Sequence, residues 1–414
     1  MSEILVLGGG MVGIATALEL QARGHAVTVV DRKPPGQETS YGNAGLIQAE
    51  AAEPYAMPRA LPEILDIILG RSNDVVWSPR GVLSQLPALW QYYRYSHPRR
   101  HQVLSQPNAQ LIRSACADHN RWITLAGAED LMAQDGYLSV FQDAEEFDAM
   151  ANDLDRLRHS YGIDTATLSG ADLCKAEPLY QTPPAGAIHW REVWSCAAPG
   201  ELVTRYAELF QRQGGAIRIG DASTLRRAGH AWEVQTDTEQ VSSEHAVIAL
   251  GPWTPPLLAQ LGYRVRMIMK HGAHRMYPKA PTLRRPIFDA RHGVVLCSMR
   301  GGLRMTCGVA LEASGRVPDV RQLDRAAKGI PAYMELGAAE PGPIWRGTRP
   351  FLPDMLPMIG AAPRHDRLWF HFGHGHQGFT LGPTTARHLA NLIDGGDKGP
   401  VAAFLPEHRP SVLM

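Results

Sequence analysis

Ile4-Leu5-Val6-Leu7-Gly8-Gly9-Gly10-Met11-Val12-Gly13 opens the chain, and the reading of this stretch decides the fold. Four apolar residues in succession predict a strand buried on both faces. Gly8, Gly10 and Gly13 satisfy the spacing Gly-x-Gly-x-x-Gly between that strand and a helix expected from about Met11 to Arg23, with Gly24 as its C-terminal cap. A second apolar strand, Ala26-Val27-Thr28-Val29-Val30, ends on Asp31. The unit is β-α-β, and its chemistry explains the glycines. The first permits a tight turn, the second lets backbone approach a pyrophosphate, and the third lets helix pack on strand. The helix N-terminus offers free N–H groups to phosphate, and Asp31 is placed to accept hydrogen bonds from ribose hydroxyls. This motif by itself does not choose between NAD and FAD.

Outward from that unit, residues 34–45 are rich in Gly, Pro, Ser and Asn and read as a loop. From Ala60 to about Ile123 the pattern is mostly helical, interrupted by Pro, and includes the aromatic run Leu89-Trp90-Gln91-Tyr92-Tyr93-Arg94-Tyr95. Two readings of that excursion stay open, a packed helical layer and a segment lying on a membrane surface. Residues 137–141 predict a strand, 144–160 an amphipathic helix, 202–214 a helix and 216–219 a strand. Residues 231–234 and 245–250 predict strands of a small meander ending at Gly251. Residues 264–311 are strand-like throughout. Near the C-terminus a strand over 368–372 and a helix over 384–393 flank a glycine-rich loop.

The 414 residues are too many for one simple core and fit two domains. Lys plus Arg equals Asp plus Glu, 41 each, so the totals give no basic footprint for nucleic acid. The five cysteines, Cys116, Cys174, Cys196, Cys297 and Cys307, show no metal-ligand spacing and read as thiols of a reducing compartment. His371, His374 and His376 are close in sequence, but no carboxylate or cysteine completes a ligand set, and no metal is expected. No apolar run approaches the ~20 residues that span a bilayer. The expected location is the cytoplasm, with peripheral contact at the inner face of the membrane left open.

Two stretches carry the other half of the argument. Trp345-Arg346-Gly347-Thr348-Arg349-Pro350 precedes Pro353-Asp354-Met355-Leu356-Pro357-Met358-Ile359-Gly360, and Gly373-His374-Gly375-His376-Gln377-Gly378-Phe379-Thr380 opens the last helix. With Glu38-Thr39-Ser40-Tyr41-Gly42-Asn43-Ala44-Gly45 and Ala249-Leu250-Gly251-Pro252-Trp253, they make the chain resemble the D-amino-acid oxidase superfamily over nearly its whole length, and most closely its bacterial D-amino acid dehydrogenase branch. The resemblance implies FAD as cofactor. Gly8, Gly10 and Gly13, with Met11 and Val12, would cradle its pyrophosphate, and Asp31 and Arg32 would hold the adenosine. Ser40, Asn43, Ala44 and Gly45 would line the isoalloxazine, with Gly251 nearby, and Gly375, His376, Gly378, Phe379 and Thr380 would face its pyrimidine edge. Arg349 would meet the substrate carboxylate, a role suited to a guanidinium fork.

Departures from relatives refine the expectation. Covalent flavin attachment in some relatives uses a His near the first loop or a Cys near the C-terminal motif; neither is present here, so FAD is expected to be non-covalent. Sarcosine-oxidase-like relatives carry a Lys soon after Gly-His-Gly, where this chain has His376, Gln377 and Gly378. Those relatives also use a Lys on a substrate-domain strand for reaction with oxygen, and Arg304 stands near that place. This favours electron transfer to an acceptor such as quinone. The segment Met269–Tyr277 corresponds to the strand that crosses above the flavin, making His271, His274 and Tyr277 candidate catalytic residues beside Arg349. The expected fold is a Rossmann-like FAD-binding domain (1–55, 196–258 and 345–414) with a discontinuous antiparallel-sheet substrate domain (56–195 and 259–344). The expected reaction is oxidative deamination of a small D-amino acid by hydride transfer to flavin. A cyclic imino acid such as D-proline or hydroxy-D-proline, glycine or N-methylglycine, and a subunit of a membrane-linked electron-transfer complex remain alternatives.

Overall fold

The computed structural model describes residues 1–313 and 315–414, and two large sheets organise it. The first grows from β1 (Glu3–Leu7), α1 (Met11–Ala22) and β2 (Ala26–Asp31). β1 and β2 run parallel with Val6 opposite Val29. Alternate residues of β1 serve two cores, because successive side chains of a strand point to opposite faces. Ile4 and Val6 pack with Ile14, Ala17 and Leu18 of α1. Leu5 and Leu7 pack with Trp232, Tyr263 and Phe370 on the other face. Burial on both sides is the reason this strand reads as an unbroken apolar run.

Eight strands form this sheet in the order Gln240–Ser243, Ala231–Thr236, Ala216–Ala228, β2, β1, His245–Ile248, Leu368–Phe372 and Met358–Ala361. Neighbours from Ala216–Ala228 to Leu368–Phe372 are parallel. His245–Ile248 departs from the sequence reading. Instead of closing the meander it pairs with β1, Val247 opposite Val6, in the middle of the sheet. Ala246, Val247 and Ile248 are fully buried there, as a central parallel strand requires. The outer meander strand is Gln240–Ser243, too short and polar to announce itself.

The second sheet has ten strands and is centred on Ile268–Tyr277. That strand pairs with Gly302–Cys307 and Val309–Leu311 on one edge and with Trp345–Phe351 on the other. The sheet continues through Val294–Met299, Ile287–Asp289, Tyr137–Phe141, Gly186–Trp190 and Thr165–Ser169. Trp345–Phe351 is therefore hydrogen-bonded into this sheet, although the sequence reading grouped residues 345–414 with the cofactor half. Composition marks a strand but does not name its partner. The helix Pro98–Ala126 shows the converse. Grouped by sequence with the substrate half, it places Leu111, Ile112, Trp122 and Ile123 in the core that holds Ile4 and Val6.

The final helix, Gly378–Ile393, lies against α1 so closely that a Cβ added at Gly382 would stand 2.7 Å from Met11 Cγ. The N-termini of these two helices line the same cavity. Among the described residues no helix is long and apolar enough to cross a membrane.

Candidate active site

Residues of both sheets line a cavity of about 740 Å³. At one end the three motif glycines divide the work. Gly8 turns the chain at φ +119°, where an added Cβ would collide with Ala249 O, and a Cβ on Gly13 would collide with Gly8 O. Gly10 alone of the three opens on free space, with Ser40 Oγ at 3.4 Å as the nearest neighbour of an added Cβ. The Met11 N–H donates to Ser40 Oγ (3.0 Å), so a loop serine caps α1 where Gly10 has no side chain to do so. Asp31 is held at the end of β2 by the N–H groups of Gly9 (2.6 Å) and Lys33 (3.1 Å). The Arg32 guanidinium lies 4.1 Å above the ring of Trp253.

The loop after Ser40 is held from within and from the second sheet. Gly45 takes φ +79° against Cys196, and its N–H donates to Asn43 Oδ1 (2.7 Å). Arg304 donates to the carbonyls of Tyr41 (2.9 Å) and Asn43 (2.8 Å). Trp345 lies on Gly42, where an added Cβ would collide with its ring, and stacks on His274 with centroids 4.9 Å apart. Burial, and then the charge of Arg304, bring the His274 imidazole down to about 3, so it is neutral.

At the other end, His119 Nε2 donates to Phe379 O (2.9 Å) and fixes the first turn of the last helix. Thr380 Oγ1 accepts from the Gln48 N–H (3.2 Å) and donates to Leu46 O (3.4 Å). His376 stands 4.9 Å from the ring of Tyr55. His371 pairs with Thr16 and His374 with Thr385. The three C-terminal histidines therefore have separate partners.

Arg349 donates to Gly308 O (2.7 Å) and Cys307 O (3.4 Å), and its guanidinium lies across Gly272. Lys270, opposite Arg349 in register, points its ammonium at the rings of Phe351 (3.4 Å) and Tyr92 (4.4 Å). Burial lowers the pKa of Arg349, Arg304 and Lys270 alike, and among the described residues no carboxylate acts on any of them. Sequestered cations without counter-ions are costly. Arg349, the one of the three that lines the cavity, makes its wall suited to an anion.

Of the residues expected from sequence, Gly8, Gly10, Met11, Val12, Asp31, Arg32, Ser40, Asn43, Ala44, Gly251, Arg349, Gly375, His376, Gly378 and Phe379 line this cavity. Gly13, Gly45 and Thr380 shape its wall from behind. The candidate catalytic residues of the crossing strand fare differently. Lys270, Gly272 and His274 share the face of Arg349 and Trp345, because directly opposed residues in an antiparallel pair project the same way. His271 and Tyr277 have the opposite parity. His271 Nδ1 bonds Thr348 Oγ1 (2.9 Å), and Tyr277 belongs to the core behind the sheet. His274 has the right parity but is screened by Trp345. Neither His271 nor Tyr277 is among the residues that line the cavity.

A model of the FAD dependent oxidoreductase family matches residues 3–392. The chain belongs to that family. It is 29% identical over 410 residues to a D-amino acid dehydrogenase of Cereibacter sphaeroides, covering 95% of this chain and 92% of that protein. It is 26% identical over 415 residues to a D-amino-acid oxidase of Bradyrhizobium diazoefficiens, covering 98% of each. Among solved structures, glycine oxidase from Bacillus cereus superposes with a TM-score of 0.69 at 20% identity, covering 98% of each chain. The residues present fit FAD: open space before Gly10 at a helix N-terminus, Asp31 at the end of β2, and a second helix start in the same cavity as Arg349. The last arrangement would favour the negative charge that a flavin gains at its pyrimidine edge on reduction.

Sequence reasoning missed Tyr55, Tyr137, Trp190 and Phe288, which line the same cavity, and Glu50 and Lys270 next to it. Trp345 was in the quoted motif without a role. Tyr55 follows a loop with no periodicity, Tyr137 and Phe288 read simply as strand residues, and Trp190 lies in a stretch to which the sequence assigned no element.

Proposed function

We propose that this FAD-dependent oxidoreductase oxidises the C–N bond of a D-amino acid and passes the electrons to an acceptor such as a membrane quinone. The observation that carries the reading is Arg349, a cavity-facing guanidinium anchored on two backbone carbonyls with no acid beside it. Its fixed fork is a receptor for the substrate carboxylate. The Tyr55 ring, beside Arg349 in the same cavity, would cover the bound acid. Tyr137, Phe141, Trp190 and Phe288 form an apolar wall for the side chain. Non-covalently bound FAD would supply the acceptor for the hydride leaving the α-carbon. The chain's own work is to orient the acid and exclude water. The names of the sequence relatives support the D-configuration.

The test is Arg349→Ala. Truncating one partner of a buried charge pair costs about 2–5 kcal/mol. KM for the amino acid should therefore rise about a hundredfold or more, with FAD content unchanged. An unchanged KM would remove Arg349 from the carboxylate site.

The helix Leu61–Ile68 buries none of its residues. Its Leu61, Leu65 and Ile68, with Leu69, join Leu83, Leu86 and Trp90 of the helix Pro79–Tyr95 as exposed apolar side chains. Exposed Arg71, Arg80, Arg94, Arg99 and Arg100 in this region outnumber Glu63, Asp66 and Asp74, with Arg71 paired to Asp66. We propose an anionic lipid surface as the occupant of this face, since apolar side chains among arginines suit the headgroup boundary.

A further inference from the structure

Beside Tyr55 lies a carboxylate that the proposed reaction has not yet used. Gln48 Nε2 donates both to Glu50 Oε1 (2.9 Å) and to Tyr55 OH (3.1 Å), and Gln48 Oε1 accepts from Gln377 Nε2 (3.2 Å). A chain of amides thus runs from the loop at the pyrimidine edge to Glu50. The second oxygen, Glu50 Oε2, is buried and has no hydrogen-bond partner among the described residues. A buried acceptor left open in this way is costly unless something donates to it. Tyr55 exposes 44% of its surface, and that surface is cavity wall. Tyr55 is close enough to both Glu50 and the Arg349 guanidinium to feel the charge of each. Carboxylate receptor and phenol line the cavity, and the free carboxylate is tied to that phenol through Gln48, which suits an amino acid that presents both an acid group and an amine.

We propose that Glu50 accepts the proton of the substrate ammonium before the C–H bond breaks. The inference rests on the amino acid oxidation proposed above. In this step an ammonium N–H bond breaks, the proton bonds to a Glu50 carboxylate oxygen, and the electron pair stays on nitrogen. That pair assists departure of the α-hydrogen as hydride, and the carboxyl returns its proton to water when product leaves. The groups facing Glu50 leave it free to titrate alone. Tyr55 is pushed up to about 12, Tyr137 on the strand Tyr137–Phe141 is pushed well up, and Cys116 on the helix Pro98–Ala126 is pushed up to about 12. All three are neutral near pH 7, and no cation acts on Glu50. Burial raises Glu50 itself to about 7, so it is a carboxylate above that pH and a carboxylic acid below it. A base with a pKa near the working pH is the effective kind.

The experiment is anaerobic flavin reduction by a D-amino acid from pH 5.5 to 10, in wild type and Glu50→Gln. A second readout is the pH dependence of binding of 2-aminoisobutyrate, which has no α-hydrogen to lose. In wild type the rate should rise about tenfold per pH unit and level near pH 7, and the analogue should bind tighter through the same range. Glu50→Gln should lose both transitions, fall about a hundredfold or more at pH 7.5, and regain rate only as the free amine itself forms. A wild type without a transition near pH 7 overturns the proposal, whatever the variant does. So does a Glu50→Gln enzyme that keeps the transition, even if it is uniformly slower. If no amino acid bleaches the wild-type flavin, the proposed function fails and this assignment fails with it.

Discussion

Gly272→Ala separates the fold from the site with a single methyl group. The new Cβ would stand 2.5 Å from Arg349 Nη1, 2.9 Å from Cζ and 3.0 Å from Nη2. The backbone cannot retreat, because Ile268–Tyr277 is paired along both edges and Gly272 is opposite Gly347. The guanidinium must move instead. It is the far end of a flexible side chain, so the fold loses little. The function loses more, because movement breaks the 2.7 Å bond to Gly308 O that aims the fork. A hydrogen bond to a charged group is worth about 1.5–3 kcal/mol, or roughly ten- to a hundredfold in affinity. KM for the amino acid, and Kd for a carboxylate that lacks the amine, should both rise by that factor. FAD content and the denaturation midpoint should stay near wild type. The assay is flavin absorbance titrated with the carboxylate in both proteins. Wild-type affinity in Gly272→Ala would refute the reasoning, because Arg349 would then not be held where the geometry puts it.

The first glycine loop offers a matched pair. Gly10→Ala should fold as the wild type yet bind FAD at least tenfold more weakly, because its Cβ enters the open space assigned to pyrophosphate. Gly13→Ala should fail to fold, because its Cβ would run into the carbonyl of Gly8; fluorescence of released flavin and circular dichroism distinguish the two. For the apolar face, sedimentation with vesicles should recover the wild type on anionic lipid and not on neutral lipid, and Leu65→Glu with Trp90→Glu should abolish recovery. Binding to neither vesicle, with self-association in solution that the same changes remove, would make the face an interface between proteins.

The nucleotide unit was legible because its elements are local. Strand, turn, helix and strand lie within thirty residues, although the carbonyl that excludes a Cβ at Gly8 is that of distant Ala249. Sheet partners were less legible. Val247 is opposite Val6 and Trp345 opposite His274, pairings across gaps that composition does not bridge. The site shows the same division. Ser40, Asn43, Arg349 and Phe379 were readable because they sit in motifs, and the cavity contains them. His271 and Tyr277 are not among the cavity-lining residues, and their direction depends on strand pairing that the sequence does not display. Which parity faces inward is set by Trp345–Phe351, a distant segment. Glu50 and Tyr55 carried no signal, because a loop residue gains its role from what folds against it.

The most direct test of the central claim is an anaerobic visible spectrum of the purified holoprotein titrated with D- and L-amino acids in parallel. The account predicts a flavin band that a D-amino acid bleaches and its L-enantiomer does not. A flavin band that neither enantiomer of any amino acid bleaches would contradict it.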